Sequence, residues 1–473
     1  MKFIVSRRVP ARWLAAMLMA LLCGTAGSAQ SIKIPPHEKV VLKNGLTLLL
    51  LEKHGVPIVS ISALIKAGAT ADPAGQEGLA AQTAALLRKG TKKRSAQQFA
   101  ADLDFIGGSL EVDPGADYTT ITAEFLTKDV AKGLDLFSDA LLQPTFPQEE
   151  VDKSLAQTLD GIKGSKDDPQ QVLNLYYRAY LYGGRGYGRP EYGDENSITK
   201  LNRESVLKFY SAHYAPANTI LAIAGEFNSA EIRKQLDSTF GAWPAKQVAP
   251  VSIPAIGVSK GKRMLLVDKP DASQTYFAIG NVETAAGDPD RVAIRVVNTI
   301  FGGRFTSMLN EALRVESGLT YGVRSSFDPL KQPGPYGIYT FTKNDSTVQA
   351  IDMALQVLHK LHKEGITAEQ LASAKSYIKG QFPPTIETSR ALAQRIASDE
   401  FYGLSDDEVN QLEARVDAVT LESARQVILR HFPEENLVFV LIGKASAIGP
   451  AVEKYADKRD AREIGAPGFW AGN

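Results

Sequence analysis

The sequence predicts an α+β protein built from two homologous domains, and three observations carry that prediction. First, Leu201–Gly225 (LNRESVLKFYSAHYAPANTILAIAG) and Val419–Gly443 (VTLESARQVILRHFPEENLVFVLIG) superpose without a gap at an offset of 218, with Glu204/Glu422, Ser205/Ser423, His213/His431, Asn218/Asn436 and Gly225/Gly443 identical. A repeat of that length is a duplicated domain, not a solenoid. Second, strand-like stretches and amphipathic helical stretches alternate within each half, with a few long helices available to cover hairpin-like strands. Third, Pro250, Pro254, Gly257 and Gly261 punctuate a segment with little helical periodicity, which reads as an extended linker between the halves. A chain of 473 residues is also too long for one ordinary core.

Taken in order, residues 1–29 pair a basic start (Lys2, Arg7, Arg8, Arg12) with an apolar run from Trp13 to Cys23 and small residues Gly27, Ser28 and Ala29. This is the pattern of a secretory signal cut near Ala29–Gln30, and the run is too short to span a bilayer comfortably. The expected location is periplasmic or secreted. The first domain is assigned to 30–245, with strands at Leu46–Leu51 and Val59–Ala67 and helices at Ala96–Ile106 and Thr127–Leu142. The repeat gives each half a helix with a capping-box-like start, a short loop and an apolar strand, Thr219–Ala224 or Leu437–Ile442. Ile162-Lys163-Gly164 also matches Ile378-Lys379-Gly380, at an offset of 216. The linker is assigned to 246–262 and the second domain to 263–473, with a helix at Val348–Lys363.

Composition narrows the function. Of 53 basic residues the leader removes four, leaving 49 against 53 acidic ones, a mature charge near −4 with no basic patch for nucleic acid or acidic lipid. The single cysteine, Cys23, leaves with the leader, so no disulfide and no cysteine nucleophile remain. The chain has no Gly-x-Ser-x-Gly elbow and no phosphate loop. His359 and His362 stand three apart on a helix, a spacing that can bind metal, but no third ligand is evident and a solvated face is the expectation. His213 and His431 occupy equivalent repeat positions, which points to packing or capping.

Two motifs carry more. Gly78-Leu79-Ala80-Ala81-Gln82-Thr83-Ala84-Ala85-Leu86-Leu87-Arg88-Lys89-Gly90-Thr91 resembles the G-L-A-H-x-x-E-H-x-x-x-K-G-T segment of the pitrilysin/insulinase (M16) metallopeptidases. There, two histidines bind zinc and the glutamate is general base. Ala81, Ala84 and Ala85 stand at those three positions, and a methyl group neither coordinates zinc nor takes a proton. The family's third ligand, a Glu in a helix of the R-x-x-V-x-x-E-I kind, falls at Gly161; the adjacent Asp160 points about 100° away around a helix. Gly107-Gly108 with Glu111-Val112 stands where the family's substrate-edge strand reads G-G-x-x-N-A, so strand pairing with substrate is not expected here.

In the second half, Ser307-Met308-Leu309 through Leu313-Arg314 and Gly318-Leu319-Thr320-Tyr321 resembles the family's S-x-L-x-x-x-L-R-x-x-x-G-L-x-Y. Met308, Leu309, Ala312 and Leu313 form an apolar helical stripe, Gly318 ends the helix, and Tyr321, Val323 and Ser325 alternate along a strand. The resemblance implies that Arg314 and Tyr321, seven residues apart, hold the substrate backbone and stabilise the oxyanion.

Across nearly the whole mature chain, the resemblance implies two pitrilysin-like domains arranged as a clam shell. It further implies no cofactor in this chain, zinc in a homologous partner, a heterodimer with that partner, and unfolded peptides as substrates. Neither nucleic-acid binding nor stable membrane insertion after leader removal is expected. Three readings compete: a catalytically incomplete peptidase subunit donating Arg314 and Tyr321, a non-enzymatic scaffold of the same fold, and an independent enzyme of other chemistry, for which no elbow, phosphate loop or cysteine nucleophile is found.

Overall fold

The computed structural model describes residues 33–253 and 260–470. The expected leader and part of the expected linker lie outside the described residues. From Ile34 onward the described residues form one compact unit. Among the described residues, no helix is long and apolar enough to cross a membrane.

The first half supplies strands β1 (Glu38–Val41), β2 (Thr47–Glu52), β3 (Ile58–Ile65), β4 (Ser109–Pro114), β5 (Thr119–Leu126) and β6 (Thr219–Gly225). The second supplies β7 (Arg263–Asp268), β8 (Gln274–Val282), β9 (Val323–Phe327), β10 (Pro335–Lys343), β11 (Val438–Gly443) and β12 (Lys458–Glu463). They form two six-stranded sheets, ordered β1-β2-β6-β3-β5-β4 and β12-β7-β11-β8-β10-β9. The uninterrupted apolar runs of β6 and β11 are buried at every residue, as suits strands covered on both faces.

Register repeats with sequence. In the first sheet Ile223 lies opposite Ile61 and Ile61 opposite Ala123; in the second Leu441 lies opposite Phe277 and Phe277 opposite Thr340. Subtracting pairwise gives offsets of 218 for 441 against 223, 216 for 277 against 61, and 217 for 340 against 123. Both repeat helices, Arg203–His213 and Leu421–His431, begin with capping boxes, Asn202/Ser205 and Thr420/Ser423. The outer edges differ. β1 joins β2 antiparallel from the N-terminal side, whereas β12 joins β7 parallel from the C-terminal end, so the equivalent edge comes from opposite ends of the chain.

The halves also exchange helices. Helix Pro169–Tyr182 of the first half packs on β8 and β11 of the second, and helix Ser389–Tyr402 of the second packs on β3 and β6 of the first. The first of these carries four buried tyrosines whose hydroxyls donate to backbone carbonyls of the second half: Tyr176 to Ile464 (3.3 Å), Tyr177 to Tyr336 (2.5 Å), Tyr180 to Met264 (3.0 Å) and Tyr182 to Pro333 (3.0 Å). A ring buries apolar area while its hydroxyl satisfies a carbonyl, so such a helix fits a sheet surface that aliphatic side chains would leave polar. In the other direction Arg390 donates to Glu111 and Ser109 on β4. One apolar core runs across both halves, joining Leu48, Ile61 and Ile223 to Leu265, Val440 and Ile442, while a second lies within the second half around Phe277, Phe439 and Leu441.

Candidate functional site

Helix Leu79–Ala85 begins at Gly78, whose φ of +89° and close approach to Gly193 N (2.7 Å from where a Cβ would stand) demand glycine. The buried Asp72 carboxylate caps it, accepting from Gly78 N (2.7 Å) and Ala80 N (2.8 Å). Ala81 and Ala84 are buried, Ala85 is exposed, and Ala85 borders a cleft with Arg88, Glu150, Lys153, Ser154 and Gln157. The facing helix, Gln148–Ser165, presents Ser154, Thr158 and Gly161 along one stripe. Between the helices lies Gln82, 2% exposed, donating to Thr158 Oγ1 (2.6 Å) and accepting from Ser154 Oγ (2.8 Å). Nothing stands within 4 Å of a Cβ placed on Gly161, and Asp160 is exposed. These residues do not fit zinc: three methyl groups and a glycine offer no donor, and Gln82, Ser154 and Thr158 are hydrogen-bonded to one another.

The second motif folds differently from a plain helix. Ser307 caps a single α-turn, Met308–Asn310, and a π-turn follows over Glu311–Glu316, with Ser317 N reaching Ala312 O at 3.2 Å. One additional residue per turn re-aims the side chains, a device common at functional sites. Leu309 and Leu313 are buried, and Gly318 ends the turn at φ +63°. Asn310 bonds both Val323 N and Val323 O, fixing the start of β9, so Tyr321 stands in the connecting loop instead of on the strand. Gly302 packs so closely on β9 that a Cβ would meet Ser325 N at 2.7 Å. Ser325 N donates to Gly302 O and Ser325 O accepts from Asn298, so the outer edge of β9 is already paired.

The structure brings Arg314 and Tyr321 together. The Arg314 guanidinium lies 4.6 Å from the Tyr321 ring centroid and 4.6 Å from that of Phe305, sandwiched between two exposed rings. Tyr321 is 76% exposed and its hydroxyl forms no hydrogen bond with another described residue. The pair lines a groove of about 590 Å³ together with Arg304, Arg324, Tyr339 and Tyr377. That groove contains no residue of helix Leu79–Ala85, and the cleft over Ala85 contains neither Arg314 nor Tyr321. Tyr377 was invisible to motif reading because it arrives from a separate helix, Ala368–Gln381.

The remaining histidines divide. His359 and His362 share one carboxylate, Glu434, at 3.0 and 3.2 Å, which the sequence pattern did not reveal. His213 packs tilted against Phe209, ring centroids 4.4 Å apart, and leaves Nδ1 buried without a partner; burial, with a contribution from Lys246, lowers its pKa. Its repeat equivalent, His431, sits between Glu283 (3.5 Å) and Asp290 (3.2 Å). Burial alone would lower its pKa, but the bonds to those carboxylates outweigh it and hold it raised. The ligand atoms of Asp288, Asp290 and His431 lie within 4.8 Å of one another, yet both His431 nitrogens already face carboxylates, as suits an imidazolium better than a metal ligand.

Comparison with known proteins gives a consistent picture. Residues 47–195 match the model of the insulinase family (peptidase family M16), and residues 200–378 match the peptidase M16 inactive domain. An uncharacterized zinc protease of Streptomyces coelicolor is 26% identical over 79% of this chain and 81% of its own length. Another, of Bacillus subtilis, is 24% identical over 84% of this chain and 96% of its own. Among solved structures, a peptidase M16 inactive domain from Pseudomonas fluorescens superposes with a TM-score of 0.81 at 23% identity, covering 86% of this chain and 98% of that one. A protease from Helicobacter pylori gives 0.80 at 21% identity, covering 86% and 99%. At these identities the structural likeness establishes the fold alone.

Proposed function

Because the chain belongs to the insulinase (M16) peptidase family, we propose that it is the zinc-free subunit of a two-chain peptidase acting on unfolded peptides. A homologous chain that keeps the histidine pair and glutamate supplies the metal chemistry, and this chain supplies Arg314 and Tyr321. Export to the periplasm or beyond, as the leader implies, belongs to the same reading.

The observation that carries the proposal is an asymmetry. Where the family binds metal, all four positions lack donors and Gln82 joins the helices instead. Where the family binds the substrate carbonyl, the Arg and Tyr persist, stacked and open to a second chain. A guanidinium and a phenol placed beforehand where negative charge develops are worth far more in a closed, water-poor site than in solvent. In this chain alone Tyr321 is mostly solvated, so it is the closing of a partner over the groove that makes the pair effective.

The test mixes this chain with its zinc-bearing homologue and measures peptide hydrolysis, which only the mixture should show. Tyr321→Phe retains the ring, and so the stack on Arg314, while removing the one hydroxyl; kcat should fall about 10²–10³-fold with assembly intact. Arg314→Ala should cost at least as much. Co-elution with the partner separates lost catalysis from lost assembly. Normal assembly with full activity in both variants would sink the shared site and leave the scaffold reading.

A further inference from the structure

The groove around Arg314 carries charge that the Arg/Tyr pair does not use. Arg304, Arg314 and Arg324 all line it, and no aspartate or glutamate does. Among the described residues none of the three forms an ion pair: Arg304 donates to Ser373 Oγ (3.0 Å) with its Nε buried and unpartnered, Arg324 reaches only Ser326 Oγ (3.4 Å), and Arg314 makes ring contacts alone. Elsewhere unpaired arginines such as Arg88, Arg203 and Arg263 donate to backbone carbonyls, and others are held by carboxylates, as Arg94 is by three aspartates. Each groove guanidinium lies on an aromatic face instead: Arg304 on Tyr377 (5.7 Å), Arg314 on Phe305 and Tyr321, Arg324 on Tyr339 (4.6 Å). A ring face fixes the guanidinium plane without neutralising it, so the N–H groups not taken by Ser373 and Ser326 or buried remain for an anion.

We infer that this groove selects peptide segments bearing aspartate or glutamate side chains, with Arg304 and Arg324, which lie outside the motif pair, binding the carboxylates. The substrate class rests on the peptidase reading above. A cavity of about 590 Å³ lined by rings suits a few side chains. A polynucleotide calls instead for a broad basic surface, which a chain of 53 basic and 53 acidic residues does not offer.

The test uses the full mature chain alone. A fluorescein-labelled, unstructured peptide with glutamates is compared by anisotropy with the same peptide carrying glutamines. The glutamate peptide should bind about ten-fold or more tightly, and the preference should shrink as salt rises. Arg304→Gln and Arg324→Gln should each remove about ten-fold on the glutamate peptide and leave the glutamine peptide unchanged. Arg324 is exposed, so its variant tests the idea even where Arg304→Gln fails to fold. Equal binding of the two peptides by the unaltered chain, or a preference undiminished in Arg324→Gln, overturns the inference. Tripolyphosphate binding as tightly as the glutamate peptide overturns the assignment to peptides. No partner is needed, so a clear glutamate preference beside an inactive mixture would fault the shared site and not this inference; an active mixture without preference would do the reverse.

Discussion

Replacing Gln82 by alanine should destabilise the protein by about 2–3 kcal/mol, although no residue at that position has a role in the family's chemistry. Gln82 is 2% exposed and bonds Thr158 at 2.6 Å and Ser154 at 2.8 Å across two helices. Two neutral hydrogen bonds contribute about 1 kcal/mol each, and the void left by the amide arm adds a further fraction because packed helices relax only partly. Thr158 and Ser154 are half-buried, so water can reach part of the gap, which holds the total below that of a deep core truncation. Gln82→Met separates the contributions, since it fills the volume but leaves both hydroxyls unpaired. Combining it with Ser154→Ala and Thr158→Val should recover most of the loss, because removing both partners of a hydrogen bond costs little. Urea unfolding followed by tryptophan fluorescence reads the change. A loss below about 0.5 kcal/mol for Gln82→Ala would mean the two helices are held by apolar contacts alone and that Gln82 is no substitute for a metal bridge.

Other outcomes can be checked alongside. Elemental analysis after mild chelation should find no stoichiometric zinc, since Ala81, Ala84, Ala85 and Gly161 offer no ligand; about one zinc per chain would refute this and direct attention to His359 and His362 with Glu434. The equivalent histidines should respond to pH with opposite sign. The folded-state pKa of His431 is raised, so its stabilisation is fully present below the unfolded value near 6.5 and is lost as pH rises through the folded value. That of His213 is lowered, so folding loses stability as pH falls below about 6.5. His431→Gln should therefore cost more thermal stability at acidic than at alkaline pH, and His213→Gln should relieve an acid sensitivity; the same slope in both variants would contradict the assignment.

The sequence by itself determined the duplication and the lack of zinc-binding side chains at the four motif positions. Side-chain identity repeats at 218, and strand register repeats with it because hydrogen-bond pairing preserves sequence spacing along a strand. The missing zinc donors were legible residue by residue, since a side chain without a lone pair cannot be a ligand in any fold. The seven-residue spacing of Arg314 and Tyr321 was legible too, but not the π-turn that carries Arg314, because a single inserted residue leaves the apolar stripe of Leu309 and Leu313 unchanged.

Tertiary structure decided what the sequence left open. The pattern of Leu173, Tyr176, Tyr177 and Tyr180 specifies a buried helix face without saying which sheet receives it, and the fold gives it to the other half. The edge strands β1 and β12 are short and mostly exposed, so no apolar pattern marks them, and their place follows from where the chain ends run. His213 and His431 share a sequence context, yet burial lowers the pKa of one while Glu283 and Asp290 hold that of the other raised. The arginine groove draws Arg304, Arg324 and Tyr377 from separate elements. Local pattern fixes which residues turn inward; long-range packing alone fixes what they meet there.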